Sequence, residues 1–87
     1  MRSTMDEGTK AVLKSWREEI RKGKYPRQVV QSAIDDYIFS ERTRKMLTRR
    51  ILDGICFEPL AVEFDMSERQ VKTIVRNAEL ILYSHLP

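Results

Sequence analysis

Apolar side chains recur at spacings of three and four along most of the chain, and no stretch alternates apolar with polar residues long enough for a solvent-facing strand. The pattern predicts an all-α fold, a small bundle of about five helices. A first helix is expected from about Met5 to Lys22. Thr4 and Glu7 stand at the spacing of a capping box, and Met5, Val12, Leu13, Trp16 and Ile20 lie along one stripe. Gly23 and Pro26 close it, and Pro26 suits the start of a second helix, where its missing N–H is not needed. Val30, Ala33, Ile34 and Tyr37 then share a face. A third helix begins at Ser40-Glu41, aligns Leu47, Ile51 and Ile55, and ends near Asp53, where Gly54 is a stop signal. Pro59 marks a short helix, about Glu58 to Phe64, with Leu60, Ala61 and Phe64 on one side. Asp65-Met66 interrupts it. Ser67, with Gln70 three residues on, signals the start of a last helix, whose Val71, Ile74, Val75, Ala78 and Leu82 form a stripe running toward Pro87.

The short helix, the tight turn and the longer capped helix, Phe57 to Asn77, make a helix-turn-helix pattern near the C-terminus, in which the second helix can enter the major groove of DNA. Ala61 is the small residue such a pair needs where the two backbones approach. Leu60, Phe64, Met66, Val71 and Ile74 supply apolar contacts on both sides of the turn.

From Glu41 to Leu82 the chain resembles region 4, the carboxy-terminal promoter-recognition domain of bacterial sigma factors, and more loosely the output domains of response regulators. The likeness lies in order and spacing. A basic helix, Arg42-Thr43-Arg44-Lys45-Met46-Leu47-Thr48-Arg49-Arg50-Ile51-Leu52-Asp53-Gly54, precedes Pro59-Leu60-Ala61-Val62-Glu63-Phe64-Asp65-Met66-Ser67-Glu68-Arg69-Gln70-Val71-Lys72. In that family the turn commonly carries glycine where this chain has Asp65, and Asp is one of the few other residues that adopts positive φ at modest cost. The resemblance implies binding to double-stranded DNA and, as in that family, docking on RNA polymerase or another regulator. Fewer than fifty residues precede this stretch. The family's segment that binds core polymerase and melts the promoter is therefore not expected, and the resemblance points to a small phage or mobile-element regulator. One domain over 1–87 is expected, with a helical pair over 1–40 and the helix-turn-helix portion over 41–87.

Helical geometry puts Arg69, Lys72, Thr73 and Arg76 opposite the stripe of the last helix. Arg pairs bidentately with guanine, Gln with adenine, and Thr offers a hydroxyl and a methyl group, so Arg69, Gln70, Thr73 and Arg76 are the candidates for reading bases. Ser67, at the helix start, and Lys72 are candidates for the DNA backbone. So are Arg42, Lys45 and Arg49, which share a face of the third helix with Arg50 at its rim. Lys10, Lys14, Arg17 and Arg21 form a further basic line on the first helix. Glu18 and Glu19 stand within pairing distance of Lys14, Arg21 and Lys22, and this line is read as solvated, salt-bridged surface. Leu80 and Tyr83 lie on the same side as Arg69 and Arg76, which makes the last helix apolar on two sides near its end. The first helix, through Trp16, or a second copy of the chain would cover them, and a dimer would pair two reading heads across a palindromic site.

Composition narrows the classes. The 87 residues carry a net charge of +3, which is segregated: +3 over residues 41–57 and −3 over 58–66. Cys56 and His85 are the only residues of their types, so neither a disulfide framework nor a three- or four-ligand zinc site can be built. Cys56 reads as a small buried hydrophobe and His85 as a surface residue stabilising the last helical turn. Asp35-Asp36 diverge by a helical step and cannot converge on one metal or proton. No phosphate-binding glycine loop or nucleophile-base pair appears, so neither an enzyme nor a cofactor is expected. No apolar run approaches membrane-spanning length and the start lacks a secretory stretch, so a cytoplasmic protein outside the membrane is expected. The leading functional expectation is a sequence-specific DNA-binding transcription regulator that inserts its last helix in the major groove. The alternative is a protein-interaction module that uses acidic Glu58, Glu63 and Asp65 beside Leu80 and Tyr83.

Overall fold

Five α-helices make up residues 7–86, the part of the chain that the computed structural model describes: α1 (Glu7–Arg21), α2 (Arg27–Tyr37), α3 (Glu41–Ile51), α4 (Phe57–Glu63) and α5 (Glu68–Tyr83). The fold is all-α, with no strand among the described residues. Helix α5 packs against each of the other four. Its Val71, Val75, Ala78 and Leu82 form the centre of a core completed by Leu13, Trp16 and Ile20 of α1, Val30 and Ile34 of α2, Met46, Leu47 and Ile51 of α3, and Leu60 of α4. Each fully buried aliphatic side chain contributes about 1.5–3 kcal/mol, so these stripes account for why short helices of modest intrinsic stability assemble.

The ends of the helices follow from local chemistry. After α1, Gly23 (φ 99°) donates its N–H to Ile20 O at 3.0 Å and Lys24 donates to Glu19 O at 2.9 Å, the paired bonds of a Schellman stop. The same device ends α4. There Asp65 is the one non-glycine residue with positive φ among those described (55°), its N–H bonds Val62 O at 3.2 Å, and the Met66 N–H bonds Ala61 O at 2.9 Å. The left-handed backbone expected of Asp65 is thus what this turn uses. Immediately beyond it, Ser67 Oγ accepts from the Gln70 N–H at 3.1 Å while Gln70 Oε1 accepts from the Ser67 N–H at 3.0 Å, a complete capping box. The turn between α4 and α5 is fixed at both ends. Ser67→Ala is expected to lower stability by about 1 kcal/mol and the melting temperature by roughly 4–8 °C in a thermal melt; an unchanged melt would mean the cap contributes nothing.

Several sequence expectations are corrected. Helix α1 ends at Arg21; Thr4 and Met5, its expected cap and first stripe residue, lie outside the described residues. Pro26 is the N-cap of α2, α4 begins one residue early at Phe57, and α5 stops at Tyr83. Cys56 is exposed, because it serves as N-cap of α4 with extended backbone (φ −71°, ψ 165°) at the bundle's edge. Val12 and Tyr37 are partly open to solvent. Val12 lines a surface cleft with Leu80 and Tyr83, and Tyr37 stacks on the exposed ring of His85, centroids 3.6 Å apart. No described helix is long and apolar enough to cross a membrane.

Candidate nucleic-acid interface

Because α5 has partners on most of its circumference, its solvent-facing strip is narrow. Arg69, Gln70, Thr73 and Asn77 are all exposed on it. Helical steps of 100° place Asn77 in line with Arg69 and Thr73, one residue beyond Arg76, where the expected set of base readers ends. Its amide can pair with adenine. Thr73 Oγ1 donates to Arg69 O at 3.1 Å, so its hydroxyl proton is committed to the helix's own backbone. Gln70 is exposed, but its side-chain oxygen is held in the capping box; its NH2 group is what remains for a ligand. Ser67 is likewise occupied as the cap.

Arg76 and Lys72 differ from Arg69: both are half-buried, whereas Arg69 is exposed. Lys72 Nζ stands 3.7 Å from Glu68 Oε1 and 5.8 Å from the Phe57 ring centroid. On α3, Arg42 and Lys45 are exposed and have no ion pair among the described residues. Arg49, expected beside them as a phosphate contact, is committed elsewhere. Its Nη2 lies 2.9 Å from Glu63 Oε1 and its Nη1 3.8 Å from Asp53 Oδ2, so its charge ties α3 to α4.

The first helix contributes more than its sequence promised. Tyr83 meets Trp16 edge to face, centroids 5.9 Å apart, and the Trp16 indole N–H donates to the Leu86 carbonyl. Helix α1 therefore covers the second apolar side of α5. Between that side and the main stripe lies Glu79, 1% exposed and the one buried charged residue among those described. Arg17 Nε stands 2.7 Å from Glu79 Oε2 in an enclosed ion pair, and no other described donor reaches either Glu79 oxygen. Arg17 is thus an inward-facing partner of a buried acid, correcting its reading as solvated surface. The signal was present in the sequence: a helix apolar on two sides encloses the residue between them, and Glu79 occupies that place.

Arg50 completes the arrangement from α3. Its guanidinium lies over the Phe57 ring, 4.3 Å from the centroid, Nη1 donates to Ile55 O at 3.2 Å, and its buried Nε has no acceptor. Burial pushes the Arg50 guanidinium down from its ordinary pKa, with Arg17 and Arg21 adding repulsion and Glu79 opposing. Burial likewise pushes the Glu79 carboxyl above its ordinary value, while Arg17, Arg50 and Arg76 pull it back. No group of His, Cys, Asp and Glu among the described residues is placed to hold a metal ion. Comparison with protein-family models, curated proteins and solved structures finds no match to this chain.

Proposed function

We propose that this chain is a sequence-specific binder of double-stranded DNA, a transcription regulator that works like the sigma region 4 domains it resembles, with α4 as the supporting helix and α5 in the major groove. The observation that supports the reading best is the strip Arg69, Gln70, Thr73 and Asn77. These base-pairing side chains stand on the exposed side of a helix whose approach angle is held by a Schellman stop and a capping box. Arg42 and Lys45 supply further cations for the sugar-phosphate backbone. The activity is binding rather than catalysis. Selection from random duplexes, followed by anisotropy titrations, tests it. Arg69→Ala is expected to lose about 1–3 kcal/mol on the selected site and to relax preference at one base position. Wild-type protein that binds no duplex at about 50 mM salt, where phosphate contacts are strongest, would overturn the proposal.

A second reading, a protein-docking module, draws on α4. Val62 is 79% exposed beside Glu58 and Glu63 on a helix with no basic residue. Failure to bind DNA in the same experiment leaves that surface as the functional one, and Val62→Asp would then abolish association with a protein partner.

A further inference from the structure

Arg17, Arg50 and Arg76, one from each of three helices, act on the Glu79 carboxylate, and Arg21 adds its charge near Arg50. Arg17 of α1 pairs with Glu79 at 2.7 Å, Arg21 is one helical turn further along α1, Arg76 is one turn before Glu79 on α5, and Arg50 of α3 enters from the side of Phe57. Glu79 is almost wholly enclosed and can neutralise only one of them. The surplus is cationic, and the groups that carry it reach solvent: Arg21 is exposed, and Arg17, Arg50 and Arg76 are half-buried. A further feature suits an anion. Arg50 is oriented by stacking on Phe57 and by donation from Nη1 to Ile55 O, which together fix the plane of its guanidinium. Burial lowers the Arg50 pKa most, and repulsion from Arg17 and Arg21 adds to it against the pull of Glu79, so these cations lie close enough to act on one another.

We propose that Arg17, Arg21, Arg50 and Arg76 form a clamp for a backbone phosphate of double-stranded DNA, on the flank of α5 that faces α1. A helix lying in the major groove has a phosphate strand along its flank, and guanidinium pairs match the geometry of a phosphodiester's two free oxygens. Arg76 thereby changes role from base reader to phosphate contact, because it is half-buried where Arg69 and Asn77 are exposed, and its charge acts on Glu79. Helix α1, which lies outside the region 4 resemblance, becomes part of the interface. Glu79 is the positioning residue: it holds Arg17 at the inner end of the cluster and, being enclosed, offers no carboxylate at the surface to repel the phosphate.

The inference rests on the DNA-binding reading and is tested so that the two can fail separately. Anisotropy titrations of the full chain are run from about 50 to 200 mM salt on a selected and a scrambled duplex. Arg21→Gln is an exposed change and leaves the fold in place; Arg50→Lys keeps the charge but removes the fork. Both are expected to weaken binding about threefold to tenfold on either duplex, and Arg21→Gln to reduce the salt slope by about 0.9. Lys10→Gln, on the same side of α1 but about 16 Å away, should stay within a factor of about two of wild type. Wild-type binding with both arginine variants unchanged in affinity and slope overturns the clamp and leaves the DNA reading standing. A loss confined to the selected duplex also overturns it, because that marks base reading. No binding by wild type overturns both.

Discussion

Arg17→Met will destabilise the protein by about 3–5 kcal/mol, more than the substitution of its partner. Glu79 is 1% exposed and has no route to water, so removing Arg17 leaves a carboxylate buried without its nearest counter-charge. Arg17 keeps 19% of its side chain exposed and can turn outward when Glu79 is replaced, so Glu79→Gln is expected to cost about 1–3 kcal/mol. The two variants also separate in pH dependence. Burial raises the Glu79 pKa in the folded state, and Arg17, Arg50 and Arg76 restrain the rise; loss of Arg17 lets it go further. A carboxyl whose folded pKa exceeds its unfolded one contributes stability that is complete below the unfolded pKa and disappears as pH climbs through the folded one. Arg17→Met should therefore lose more stability than wild type between mildly acidic and neutral pH, and Glu79→Gln should lack this dependence. Urea unfolding at pH 5 and pH 7.5 measures both. Equal stability of Arg17→Met and wild type at the higher pH would show that the pair does not support the fold.

Trp16→Ala is expected to be as damaging, at about 3–5 kcal/mol. It empties a site that is 2% exposed, removes the edge-to-face contact with Tyr83, and leaves the Leu86 carbonyl without its indole donor. A domain of this size has roughly 4–13 kcal/mol of total stability, so circular dichroism should show a melt displaced by tens of degrees or α1 already detached at room temperature. Trp16→Phe keeps the ring and loses the hydrogen bond, and should fall between. A melt of Trp16→Ala within a few degrees of wild type would mean that α1 is only loosely attached.

Most of the architecture was legible because several local signals coincided. Leu13, Trp16 and Ile20, or Val71, Val75 and Leu82, are apolar at helical spacing, and each stripe is bounded by a residue with a specific backbone role: Gly23, Asp65, Ser67. What could not be read was the pairing of faces. Arg17 and Glu79 each looked like solvent-facing charge on its own helix, and only the contact of α1 with α5 makes them partners. Arg49 shows the same limit, since its commitment to Glu63 depends on how α3 and α4 meet. Asn77 was missed for a different reason. The expected set of base readers, which includes the neutral Gln70 and Thr73, ends at Arg76, one residue short of it. Cys56 failed through residue-type statistics, because a cysteine at an N-cap follows the backbone to the edge of the bundle whatever its hydrophobicity.

The Trp16–Leu86 hydrogen bond joins positions 70 residues apart, and α1 packs only on α3 and α5. During synthesis at about 5–20 residues per second, α1 leaves the ribosome roughly 4–14 s before the segment that covers Trp16. Until α3 and then α5 follow, the stripe of Leu13, Trp16 and Ile20 lacks its full native cover, with the cations Lys10, Lys14, Arg17 and Arg21 alongside. One member of that basic line, Arg17, gains its partner only when α5 arrives, so the charge that Glu79 requires is in place on α1 before Glu79 itself is made.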